Sequence, residues 1–114
     1  MPRATVNTIC KTFPGAELSD PWGGGHDAWK VGGKMFACIG AIQTGVAVKT
    51  DSIETAQMLI EAGAGERAPY FHRSWILLDW DMDEAELRGR LANSYRLIRA
   101  GLPKKLQALL GSSI

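Results

Sequence analysis

The stretch Ala28-Trp29-Lys30-Val31-Gly32-Gly33-Lys34-Met35-Phe36-Ala37-Cys38-Ile39-Gly40-Ala41-Ile42 decides the fold. Paired glycines supply the positive φ angles that a two-residue hairpin turn demands. Ala28 to Val31 therefore reads as a strand, Gly32-Gly33 as the turn, and Lys34 to Ile42 as the antiparallel partner. Side chains alternate across a strand, so Met35, Ala37, Ile39 and Ala41 point to one side and Phe36, Cys38, Gly40 and Ile42 to the other. Both sets are apolar. The strand is then central and covered on both faces, or one face is meant for a partner.

Downstream of the hairpin, Gln43-Thr44-Gly45 reads as a second turn and Val46 to Lys49 as a third strand, which extends the meander. Upstream, Val6, Ile9, Cys10 and Phe13 make an i, i+3, i+4, i+7 stripe, one apolar helix face, which Pro14-Gly15 ends. Asp51 is expected to cap a helix carrying Ile53, Ala56, Leu59 and Ile60, with Glu54 at the third helical position and Gly63 and Gly65 as its stop. Between Glu66 and Asp79 the pattern returns to strand, with Trp75 to Leu78 the most strand-like run. Asp83 with Glu86, and Met82 facing Leu87, predict the best-marked helix start in the chain. Leu87, Leu91, Tyr95 and Ile98 form that helix's buried stripe. Gly101 stands where a C′ glycine belongs, and Pro103 opens a short last helix.

These elements make a single domain over residues 1–114, of the α+β class: an antiparallel sheet backed by helices. Apolar residues at 46% and charged residues at 22% are ordinary for a globular chain and exclude a disordered one. No apolar run nears the roughly 20 residues that span a bilayer, and the amino terminus lacks a signal-peptide pattern, so cytoplasmic residence without a membrane partner is expected. Cys10 and Cys38 are far apart and sit in apolar patterns, which predicts reduced core thiols. The net charge of +1 gives no global field for nucleic acid. Its distribution is uneven, because Arg88, Arg90, Arg96, Arg99, Lys104 and Lys105 all lie beyond Glu86, the last acidic side chain.

Thr12-Phe13-Pro14-Gly15-Ala16, Pro21-Trp22-Gly23 and Trp29 to Ala37 resemble the MmcQ/YjbR family of small bacterial proteins. Tyr70 to Trp75 with its apolar strand, and the ending from Ser94-Tyr95 through Gly101-Leu102-Pro103-Lys104-Lys105-Leu106, follow in the same order. The resemblance implies a CyaY-like fold with a curved antiparallel sheet. It also implies a DNA-binding role, by the likeness of that fold to a double-wing domain that docks a saddle-shaped sheet on DNA. Against the family pattern, Gly23-Gly24-Gly25-His26 is unusual, Trp29 replaces a frequent Phe, and Tyr70-Phe71-His72-Arg73 replaces a more polar stretch.

The residues supply little chemistry for catalysis. Gly23-Gly24-Gly25 lacks both the Walker spacing and the strand-to-helix context of a dinucleotide loop, and reads as a flexible turn. Neither histidine has a second ligand at metal spacing. His72 has no motif-placed nucleophile or carboxylate beside it. No catalytic residue, cofactor or metal is expected, and the chain reads as a non-enzymatic, monomeric binding module.

Its candidate nucleic-acid surface is a sheet face. Trp29 with Lys30 and Lys34 across the hairpin, joined by His72, Arg73 and Trp75, makes an aromatic platform with cations, suited to phosphates and exposed bases. The same indoles serve equally as core with the lysines merely solvated. Lys104 and Lys105, with Arg88, Arg96 and Arg99 on one side of the preceding helix, form a second basic candidate. Five phosphates neutralised there predict a slope of roughly −4.5 in log affinity against log salt. The alternative is a module for a protein or small ligand, motivated by the strand apolar on both sides.

Overall fold

The computed structural model describes residues 2–41 and 45–114. Ten elements follow in order: α1 (Pro2–Lys11), β1 (Ala16–Ser19), β2 (Asp27–Val31), β3 (Lys34–Ile39), β4 (Gly45–Lys49), α2 (Ile53–Glu61), β5 (Glu66–Arg67), β6 (Trp75–Asp79), α3 (Glu84–Ala100) and α4 (Lys104–Leu110). The strands form one antiparallel sheet in the order β1-β2-β3-β4-β6-β5. The α+β reading stands, and so does the hairpin at Gly32-Gly33. The expected end of its second strand at Ile42 and the turn at Gln43-Thr44 lie outside the described residues.

The hairpin register contains an irregularity that alternation alone did not foresee. Trp29 pairs with Ala37 and Lys30 with Met35, which leaves Phe36 as an extra residue on β3. Such a bulge bends the strand and turns consecutive side chains toward one face. Phe36, expected opposite Ala37, therefore joins Ala37 and Ile39 in the main core. There it meets Tyr95 of α3 edge-on, with ring centroids 5.4 Å apart, and Phe13 at 5.9 Å. Aromatic pairs in these geometries add about 0.5–1.5 kcal/mol beyond their burial.

The main core lies between the sheet and the helices, where Val6, Ile9 and Cys10 of α1 and Leu87, Leu91 and Tyr95 of α3 pack on Val31, Ile39, Val46, Val48, Ile76 and Leu78. The capping expectations divide. Asp83 caps α3, its carboxylate accepting from the amides of Ala85 and Glu86. Asp51 does not cap α2: extended Ser52 does, its hydroxyl accepting from Thr55 N at 3.0 Å, because the helix begins one residue later than the Asp51–Glu54 pairing requires. Gly101 is a C-cap with right-handed φ of −82°, so its conformational freedom goes unused.

Among the described residues, β3 and β4 pair between Ala37–Ile39 and Val46–Val48. Where the next pair of hydrogen bonds would fall, Ser94 of α3 inserts its hydroxyl. It donates to Phe36 O at 2.6 Å and accepts from Lys49 N at 2.9 Å. Two buried backbone groups that the sheet leaves open are thus satisfied by a helix side chain. Ile98, one turn further along α3, touches both the main core and a second, smaller cluster.

Candidate functional site

That second cluster marks the sheet face away from the main core. Ala47, Ala68 and Trp75 are its buried members, with Met35, Phe71 and Leu77 half-buried around them. Strand register and alternation put Lys30, Met35, Cys38, Ala47, Lys49, Trp75 and Leu77 on this face. Ala47 and Ala68 are kept from water by Trp75 and by the half-buried Met35, Phe71, Leu77 and Ile98 around them. The strand expected to be apolar on both sides thus has one face under the helices and one that carries this smaller cluster, which Ile98 of α3 also touches.

The sequence-predicted site residues do not converge on one platform. Trp29 belongs to the main core, 5% exposed, with its indole nitrogen donating to Asn7 Oδ1 of α1 at 2.8 Å. Trp75 lies on the opposite face, 8% exposed and stacked on Phe71 with centroids 4.8 Å apart. Lys30 shares that face, and its cross-strand neighbour on β1 is Glu17. Lys34 is exposed at the hairpin, paired with Val31, whose side chain is in the main core. His72 and Arg73 are exposed in the loop before β6, and Lys104 and Lys105 on α4.

A different grouping replaces the predicted one. Gly32 takes φ of +57°, and a Cβ built on it would come within 2.6 Å of Leu102 Cδ1 and 3.1 Å of Leu106 Cδ2. The hairpin turn therefore rests directly on α4, which only a residue without a side chain permits. Lys34, Lys104 and Lys105 each lie within two residues of one side of this contact, all three exposed. Among the described residues none of the three forms an ion pair.

The rest of the basic carboxyl-terminal segment is engaged elsewhere. Arg88 and Arg90 pair with Glu84 and Glu86 one turn before them on α3. Arg96 donates to the carbonyl of Ile114. Arg99, expected on a solvated basic face, is 6% exposed, and its guanidinium donates to Tyr95 Oη and to the carbonyls of Gln107 and Gly111. Five donors on a rigid fork suit this work, and the negative carboxyl end of α4 favours a cation there. Arg99 is a tie between α3 and α4.

Two further arrangements escaped the sequence reading. The loop from Ala68 to Trp75 is built of two consecutive turns, closed by Phe71 N donating to Ala68 O and Trp75 N to His72 O. Inside it, Ser74 Oγ accepts from Lys49 Nζ at 2.8 Å and lies 2.8 Å from His72 Nδ1, which also receives Ser74 N. Lys49 is thereby held beside Trp75, its cross-strand partner. Only the Pro69-Tyr70 dipeptide hinted at such a turn.

The glycine loop is no phosphate cradle. Asp20 accepts from the amides of Gly24, Gly25 and His26 at 3.0–3.3 Å, filling with a carboxylate of the chain itself the position an anion would take. These amides, Gly25 first, hold Asp20 below the usual carboxylate range. Burial raises the thiol of Cys10 to about 12, and raises that of Cys38 with help from the charge of Asp27. Both cysteines are free, as expected of core thiols. No described helix is long and apolar enough to cross a membrane.

A crystal structure of the Deinococcus radiodurans protein DR2400, described as a DUF419 domain, is similar in fold, with a TM-score of 0.85 and 21% identity over 97% of this chain and 91% of that one. No curated protein sequence matches. The family model YjbR matches residues 11–97, which take in the hairpin, the whole sheet and most of α3, and the chain belongs to the YjbR family.

Proposed function

We propose that this chain is a non-enzymatic module that binds duplex DNA through backbone phosphates, at the end of the molecule where the β2–β3 hairpin rests on α4. The packing of Gly32 against Leu102 and Leu106 carries the reading, because it gathers Lys34, Lys104 and Lys105 from two distant parts of the chain. Ammonium groups without a carboxylate partner are the type of cation that phosphate oxygens take up, with release of condensed counterions. Contacts of this kind position a protein on DNA without reading base sequence. Trp29 has no part in this surface.

Fluorescence anisotropy with a labelled duplex across a salt series tests the proposal. Three phosphates neutralised give a slope of roughly −2.7 in log affinity against log salt. Lys34→Glu with Lys104→Glu and Lys105→Glu should abolish binding and leave the unfolding transition unchanged. Undiminished binding by that triple variant would overturn the proposal.

A second reading, a small-ligand module, is favoured by one observation. An open groove of about 460 Å³ runs between α1 and β1, lined by Asn7, Thr8, Lys11, Ala16, Leu18 and Trp29. Leu18 is half exposed at its rim. Its openness to solvent limits how much of a ligand it can bury, which places this reading second.

A further inference from the structure

We infer that the loop from Arg67 to Trp75 is a second site, independent of the hairpin end, that takes single-stranded nucleic acid by stacking an unpaired base on Tyr70. Tyr70 is the one described residue other than glycine with positive φ, at +71°. It follows Pro69 in a turn closed from Phe71 N to Ala68 O. Proline at the second position and positive φ at the third are the features of a type II turn, whose third position calls for glycine. A tyrosine there carries conformational strain, and its ring, with a relative exposure of 105%, returns no packing to the fold. The side chain is therefore kept for something outside the molecule.

The surroundings identify that occupant. Phe71, next to Tyr70 and half-buried, packs its ring on the buried Trp75 at an interplanar angle of 31° and so anchors the loop beneath Tyr70. From Arg67 to Leu78 the chain has no acidic residue, and His72 and Arg73, both exposed, follow Tyr70 in the same loop; Glu66 and Asp79, just outside this run, share the sheet face of Leu77. Lys49 Nζ is held against this loop by donating to Ser74 Oγ. An exposed ring followed by cations, in a loop with no carboxylate of its own, complements a strand of exposed bases joined by phosphates. A purely apolar partner would leave those cations unanswered. A base pair inside a duplex offers Tyr70 no free face.

The test is anisotropy with a labelled oligothymidylate of about twelve nucleotides, long enough for one such site, beside an abasic strand of the same length. Tyr70→Gly relieves the strained turn, so its thermal unfolding midpoint should rise. Its affinity for oligothymidylate should fall roughly five- to hundredfold, the range for one base–aromatic stack. The abasic strand should bind weakly to the natural chain and equally weakly to Tyr70→Gly. Arg73→Ala should weaken both strands alike. Duplex binding at the hairpin end should be untouched by Tyr70→Gly, so the two sites fail or stand separately. Unchanged oligothymidylate affinity in Tyr70→Gly, or an abasic strand that binds as well as the thymidylate, would overturn the inference. Absence of any single-strand binding, with Tyr70→Gly more stable, would also overturn it and assign the loop to a protein partner.

Discussion

The hydroxyl of Ser94 on α3 donates to the carbonyl of Phe36 on β3 at 2.6 Å, across 58 residues of chain. The same oxygen accepts from Lys49 N, so one side chain closes the gap where the β3–β4 ladder opens. Ser94→Ala leaves both backbone groups buried without partners, at about 1–3 kcal/mol each. Urea unfolding should show a loss of about 2–4 kcal/mol, with faster amide exchange at Lys49. A loss below about 0.5 kcal/mol, the size of an ordinary surface change, would mean the bridge is dispensable.

Arg99 is a buried cation whose partners are all neutral: Tyr95 Oη and two carbonyls at the end of α4. Hydrogen bonds to a charged group contribute roughly 1.5–3 kcal/mol each, so Arg99→Met should cost about 3 kcal/mol after its own better burial is counted. The damage should be local first. Hydrogen exchange should show α4 losing protection before α1, and duplex affinity should fall as Lys104 and Lys105 lose their fixed place. Equal protection of α4 in Arg99→Met would contradict the tie.

Cys10 has a thiol raised to about 12 by burial, above the free value of about 8.5. A raised folded value means that the contribution to stability is complete below the free thiol's range and is lost as pH climbs from roughly 9 toward about 12. Chemical denaturation at stepped pH should show that decline, and Cys10→Ala should flatten it. At neutral pH, alkylation of Cys10 should require unfolding, and Cys38, less strongly affected, should react sooner.

Asp20 titrates in the opposite direction, since amides of Gly25, His26 and Gly24 favour its charged form. The lowered value means that its contribution is present above the free carboxylate range and disappears as pH falls through the folded value. NMR shifts of the Gly24 and Gly25 amides should therefore titrate with a midpoint below about 3.9. Trp22, whose ring sits 4.9 Å from that of His26, should report the same loosening by fluorescence. Amide shifts that move with a midpoint at or above the free value would show the loop is held by something else.

Gly32→Ala tests the seat of the duplex site. It puts a methyl group against Leu102 and a Cβ at a left-handed φ of +57°. A loss of about 1–3 kcal/mol is expected in urea unfolding, together with weaker duplex binding. Intact duplex affinity in a folded Gly32→Ala protein would mean that the hairpin and α4 need not touch for binding.

Much of the architecture was legible because its signals are local. The turn at Gly32-Gly33, the stripe from Val6 to Phe13 and the cap at Asp83 each depend on residues within one or two turns of one another. At the sheet's edges, β1 was not legible as a strand, and β5 was legible only as part of a longer strand pattern. β1 is four residues with two exposed, and β5 is two residues, too short to establish a period. The cap at Ser52 instead of Asp51 shows how a shift of one residue escapes a pattern that both satisfy.

By itself the sequence determined that an antiparallel meander would pair through the hairpin and that amphipathic helices would back it, since period and turn chemistry are carried along the chain. Only the tertiary structure decided which charges and rings face water. The bulge at Phe36 turned a side chain into the core, Arg99 was drawn between two helices, and Trp29 went beneath α1 while Trp75 went to the other side of the sheet. Each outcome follows from contacts between different elements, and no periodicity within one element encodes where such partners meet.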